Sequence, residues 1–281
     1  MSTDRERILE PKRACPVLES MRRGLTDALP ERKRALLPAP SGTADDGLTG
    51  VRAFMALDWL IRVYLPGFLE LSPKCREYAE RVRALDRIVD LSSAEQAGLV
   101  VQRSRAAALA AADAAREAAD AATRAATRAA TRAATRAAVP GAARAAVRAA
   151  ADVAWAAAMA AAMDAAVDAA AAAAVDAAVD AEGAVEDTAW TTATMACLAA
   201  ASGAARRAAR VAAMRAAVSA AVTAASAAAR GVPEDAVRQA AVLAAWDVAR
   251  AALIPTVESL QDSAIALYAD MIDACIRGGA R

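Results

Sequence analysis

Histidine is missing from this chain altogether, and aromatic residues make up only 3% of its 281 positions. Without histidine there is no side chain ordinarily poised to exchange protons near neutral pH. A Ser-His-Asp or Cys-His set and the Glu-x-x-His motif of di-metal bundles are excluded outright. Cysteine is sparse: Cys15, Cys75, Cys197 and Cys275 are scattered, with no CxxC spacing. That pattern argues against a structural zinc site and predicts free, partly buried thiols. No glycine-rich phosphate loop is present, so neither a cofactor nor a metal is expected. The first twelve residues are charged throughout and lack the apolar run of a signal peptide. The uncharged stretches Val153–Met163 and Ala169–Val175 of the alanine-rich tract fall short of the roughly 20 residues that cross a bilayer. A cytoplasmic protein with no membrane segment is the expectation. The net charge of +1 argues against a globally basic nucleic-acid binder.

Alanine is what the chain has in excess, at roughly a third of all residues. It is the best helix former and loses no side-chain entropy, but it buries little area. Long helices in close contact should result, with larger side chains gathered at a few seams. No convincing strand pattern occurs. The expected fold is all-α, an antiparallel alanine-rich helical bundle or helical stack.

Residues 1–47 read as a charged, loosely attached arm ending in the Leu37-Pro38-Ala39-Pro40-Ser41-Gly42-Thr43 linker. An all-helical domain is expected over residues 48–281. Val51 to Leu65 has helical apolar spacing, and Pro66-Gly67 should stop it. Ser72-Pro73 reads as the start of a helix running through Tyr78, Val82, Leu85, Ile88 and Val89. Ser92 and Glu95 have the spacing of a capping box for the next helix, which should reach Val139. Pro140-Gly141 is a turn, and a second alanine-rich helix is expected from about Ala142 towards Gly183. Near the C-terminus, Ile254, Val257, Leu260, Ala264, Leu267, Met271 and Cys275 define one face, with a kink or break at Pro255.

Charge is arranged in blocks. Arg124, Arg128, Arg132, Arg136, Arg144 and Arg148 lie in a stretch without an acid, followed by eight acids without a base between Ala151 and Asp187. Thr-Arg-Ala-Ala occurs four times from Thr123 to Ala138. A period of four on a 3.6-residue helix advances each arginine by about 40°, giving a broad basic face. Internal pairing with the acidic block is one use of that face and binding a protein partner is another. The absence of interleaved aromatics argues against nucleic acid, which would grip phosphates there.

Candidate reactive residues are few. Asp58 and Arg62 are spaced to pair on one helix face beside Trp59. Asp86, Arg87 and Asp90 form a compact polar set, in which two carboxylates could share a metal or serve acid–base roles. Asp58, Arg62, Asp86 and Asp90 are thus the candidates if the protein is an enzyme. Trp155, Trp190 and Trp246 are expected to fill space left by alanines.

Two stretches, Ala56-Leu57-Asp58-Trp59-Leu60-Ile61-Arg62 and Ile254-Pro255-Thr256-Val257-Glu258-Ser259-Leu260-Gln261-Asp262-Ser263-Ala264, resemble a group of uncharacterised alanine-rich helical proteins of high-GC bacteria. The middle of the chain is faintly similar to immunity proteins of polymorphic toxin systems, although those are also rich in histidine. The resemblance implies inhibitory binding of a toxin without catalysis and transfers no catalytic residue. The leading expectation is a protein–protein interaction or scaffold protein, through a partner or self-association. A histidine-free enzyme with a pocket between the Trp59 helix and the C-terminal helix is the alternative, and nucleic-acid binding through Arg124–Arg148 a third.

Overall fold

A computed structural model describes residues 14–44, 46–136, 194–205, 207–208, 211–212 and 234–278, and within them every regular element is helical. Seven α-helices are named here: α1 (Pro16–Ala28), α2 (Glu31–Arg34), α3 (Thr49–Trp59), α4 (Leu65–Leu69), α5 (Arg76–Arg83), α6 (Leu91–Arg136) and α7 (Glu234–Gly278). A π-helical turn, Leu60–Tyr64, joins α3 to α4, and a 3-10 turn, Pro73–Cys75, leads into α5. Residues 194–205 form a further helical segment. No helix among the described residues is long and apolar enough to cross a membrane. The expected helix from Ala142 towards Gly183, with Trp155, lies outside the described residues, as does Trp190.

The core is built from large side chains on the short N-terminal helices and small ones on the long alanine-rich helices. Val17, Leu18, Met21 and Leu25 of α1 are fully buried, as are Leu57 of α3, Leu60 and Ile61 of the π turn, and Leu65 and Phe68 of α4. Among the described positions of α6, Gly98 is buried, as are Ala94, Ala97, Val101, Ser104, Ala108 and Ala111. Their alternating spacing of three and four makes a narrow seam of mostly small residues. Residues 194–205 close on that seam. A Cβ added to Gly203 would lie 3.6 Å from the Ala108 backbone, the close backbone approach that alanine and glycine permit.

Several sequence expectations need correction. The segment 14–44 is not a loose arm. Helix α1 packs against α3 and α7, and the loop behind it is tied down at several points. The Cys15 amide donates to Thr43 Oγ1 at 2.9 Å, Thr43 Oγ1 donates to the Pro40 carbonyl at 2.7 Å, and the Tyr268 hydroxyl donates to the Pro38 carbonyl at 3.1 Å. Its charged sequence conceals an apolar face that recurs once per helical turn.

Pro66-Gly67 does not stop the Trp59 helix. Proline lacks an N–H and its ring crowds the preceding turn. The wider π turn, in which the Leu65 amide donates to the Leu60 carbonyl, carries the chain past the obstacle. Burial of Leu65, Phe68 and Leu69 beyond it rewards the continuation. The following helix is shorter than expected and ends at Arg83, leaving Ile88 and Val89 in a loop. The cap of α6 is Asp90 with Ser93, two residues before the expected pair. The Ser93 amide donates to Asp90 Oδ1 at 2.8 Å and the Asp90 amide to Ser93 Oγ at 3.1 Å, a reciprocal capping box. Helix α7 passes through Pro255 without a break. The carbonyl deprived of its donor belongs to Ala251, and Ala251 and Pro255 are both exposed, so water can satisfy it.

Candidate functional site

The site begins at the π turn. An i,i+5 register brings Trp59 and Tyr64 to a ring-centroid separation of 5.7 Å, and Phe68 meets Tyr64 edge-on at 5.0 Å. This aromatic ladder sets the helix against α7. The Trp59 indole N–H donates to Ser263 Oγ at 3.0 Å, while that hydroxyl donates to the Leu260 carbonyl at 2.9 Å. From the other side, the buried Cys197 thiol donates to the Leu60 carbonyl at 3.2 Å. Gly67 lets α7 come close, since a Cβ there would lie 3.4 Å from Leu260 Cδ2.

Beside this contact lies a cleft of about 400 Å³ between the Trp59 helix, the end of α5 and α7. Arg62, Val63, Gly67 and Glu70 form one wall, Arg83 closes an end, and Thr256, Ser259 and Leu260 face them. Its size falls within the usual range for small-ligand sites, although its lining is more polar than most. Glu70 and Arg83 form a direct ion pair across the turn that links their helices. Hydrogen bonding and attraction from Arg83 hold the Glu70 carboxyl below the usual carboxylate range, against a smaller opposing effect of burial. The same bond raises Arg83. Both are therefore charged at physiological pH.

Arg62 is paired as its spacing to Asp58 predicts, with Nη1 donating to Asp58 Oδ1 at 3.2 Å and Oδ2 at 3.4 Å. Its Nε is buried without a hydrogen-bond partner among the described residues. Asp58 Oδ1 also accepts the Ile88 amide at 2.9 Å, a contact over thirty residues that sequence spacing could not reveal. The cleft thus contains Arg62 but neither Asp58 nor Asp86 among its lining residues. Asp86 and Arg87 are exposed on the loop before α6, and Asp90 is its cap. Hydrogen bonds from the Ser93 backbone and side chain lower the Asp90 pKa. Asp86 and Asp90 therefore do not share a helix face. Among the described residues, no group of three or more His, Cys, Asp or Glu is placed to hold a metal.

Of the basic series, Arg124, Arg128, Arg132 and Arg136 fall on the final turns of α6, where the structure describes the backbone alone. Arg144 and Arg148 lie outside the described residues.

The charge that sequence reasoning missed is Arg52, which is fully buried. It binds Asp46 in a fork, Nη1 to Oδ1 at 2.9 Å and Nη2 to Oδ2 at 2.5 Å, and its Nε donates to the Met271 carbonyl at 3.0 Å. Burial disfavours the charged form, but Asp46 and the nearby Cys15 together outweigh it and raise the Arg52 pKa. One guanidinium, which also donates from Nη1 to the Thr43 carbonyl at 3.4 Å, thereby fastens Thr43, Asp46 and α7 to α3. Only its position amid apolar neighbours, Val51 and Ala53-Phe54-Met55, set it apart in the sequence.

The structure defines an all-α protein with a polar interhelical cleft. No protein-family model, curated protein or solved structure matches the chain.

Proposed function

We propose that this protein acts by binding a partner protein in a cytoplasmic setting, as an interaction scaffold, and that the cleft at Arg62 and Arg83 is its recognition point. The observation that carries the reading is the donor-rich cleft: two guanidinium groups and the Thr256 and Ser259 hydroxyls converge on one space. The carboxylates near it are already engaged. Glu70, held ionised by Arg83, offers no proton to a substrate and has weakened basicity. Asp58 spends its oxygens on Arg62 and the Ile88 amide. Such a set suits recognition of an acceptor group better than proton transfer. An inhibitory, immunity-like role is one form that this binding takes.

A second contact surface is favoured by the continuity of α6. It is anchored in the core through Ala111 and runs as one helix to Arg136, so the arginines of the Thr-Arg-Ala-Ala repeat ride on a rod fixed to the scaffold.

The test is recovery of partners on the tagged full chain, with wild type and Ser259→Trp compared at moderate salt. Ser259 is exposed, so the indole fills the cleft without entering the core. A stoichiometric partner held by wild type and lost with Ser259→Trp is expected. Equal recovery by both would remove the cleft from the account, and recovery of neither would contradict the interaction reading.

A further inference from the structure

We infer that the cleft is an oxyanion site, taking a carboxylate or phosphate group between Arg62 and Arg83, with Glu70 as a resident counter-ion that the incoming group displaces. This rests on the reading of the cleft as a recognition point and names the chemistry it recognises.

Three observations lead there. First, Arg62 is under-used: Asp58 engages Nη1, and Nε is buried without a partner among the described residues. An unmet guanidinium donor is costly to leave, and a small rotation of the side chain would present it to an acceptor in the cleft. Second, Arg83 reaches the cleft from α5 and is held there, among the described residues, by a hydrogen bond to Glu70, across thirteen residues of chain. Glu70 is an oxyanion already seated on one of the two arginines, so the geometry of carboxylate recognition is present in the folded protein. Third, α7 presents the Thr256 and Ser259 hydroxyls on the facing wall. Ser263 is occupied by Trp59 and Leu260, but among the described residues no such bond engages those two. Hydroxyls beside a guanidinium pair supply the remaining donors an oxyanion needs.

The local charges bound the mechanism. Arg62 faces Asp58, Arg83 faces Glu70, and Arg76 and Glu80 lie nearby. The cleft is therefore close to neutral until Glu70 moves away. The Glu70–Arg83 pair is more than 40% exposed at both side chains, and exposed pairs of this kind hold weakly. A ligand oxyanion that bridges both arginines can replace it.

The full chain should be titrated calorimetrically with inorganic phosphate and, separately, with succinate, with chloride matching the ionic strength. Binding of one of them is expected, and which one responds distinguishes phosphate from carboxylate recognition. Arg83→Gln should weaken that binding at least tenfold. Glu70→Gln, which removes the resident competitor, should tighten it several-fold. Both side chains are substantially exposed, so both variants should retain the wild-type circular dichroism. Absence of binding by either anion, binding unchanged in Arg83→Gln, or weaker binding in Glu70→Gln would overturn the inference. If the anions fail while Ser259→Trp still abolishes partner recovery, the cleft remains the recognition point and only its oxyanion chemistry is wrong.

Discussion

At the scale of single residues, the charge of Arg52 stands out as fully buried among the described residues. Removing one member of a buried pair strands the other and typically costs about 3–5 kcal/mol. Arg52→Met, which keeps much of the volume but removes the guanidinium from Asp46, whose Oδ1 then keeps the Leu48 amide at 2.9 Å, should lose stability approaching that order in urea unfolding. An effect below about 1 kcal/mol would mean that the latch is ornamental. Gly47 offers a cleaner backbone test. Its φ of +71° lies in the left-handed region, and nothing approaches the position of a Cβ within 4 Å. Gly47→Ala should therefore cost about 1 kcal/mol through conformation alone.

Burial also couples residues to pH. It pushes the Cys197 thiol and the Tyr64 phenol far above their ordinary values, and Tyr268 to about 12. In the unfolded chain a thiol ionises near about 8.5 and a phenol near about 10. The native state keeps its protons where the unfolded state loses them, so their contribution is complete below the unfolded pKa values. It declines as pH rises through about 8.5 and again through about 10. Cys197→Ala should make the first part of that decline shallower. An unchanged slope between those two values would place the alkaline sensitivity elsewhere.

At the scale of elements, local rules were legible where partners are close in sequence. The Asp58–Arg62 pair, the helical start at Ser72-Pro73 and much of the apolar stripe of α7 follow from spacing alone. The stripe was nonetheless partly misread: Ile254 is exposed, whereas Leu253 and Tyr268 are buried. A rotation of one position cannot be seen where large apolar residues stand side by side, as in Leu253-Ile254 and Leu267-Tyr268, because spacing alone does not say which of the two faces the core. Proline misled in the opposite direction. Both Pro66 and Pro255 lie within continuing helical structure, one accommodated by a π turn and the other by a solvated carbonyl. The cap of α6 gives a direct check on the corrected boundary. Asp90→Ala should destabilise the protein by about 1 kcal/mol, while Glu95→Ala should have little effect. The reverse ranking would restore the Ser92–Glu95 cap.

At the scale of the whole molecule, the lesson is that a segment's charge says little about its attachment. Residues 1–47 contain enough Arg, Lys, Asp and Glu to look like a solvated arm, yet Val17, Leu18, Met21, Leu25 and Leu29 are among the most buried side chains described. At about 1.5–3 kcal/mol for each fully buried large apolar side chain, their loss is comparable with the usual total stability of about 5–15 kcal/mol. A chain starting at Leu48 should show no cooperative thermal transition. A sharp transition in that truncated chain would make α1 dispensable.

The cleft shows the same limit of sequence reading. Arg62 was legible as a paired charge, and Thr256 and Ser259 lie one helical turn apart. What the sequence could not supply was their meeting, because Glu70, Arg83 and α7 are joined only by tertiary packing around the Trp59–Ser263 bond. The claim that binding occurs at this meeting point is tested most directly by hydrogen–deuterium exchange of the full chain, with and without its captured partner. The account predicts new protection over residues 62–70 and 255–263. Protection confined to the arginine-bearing turns of α6, with the cleft unchanged, would contradict it.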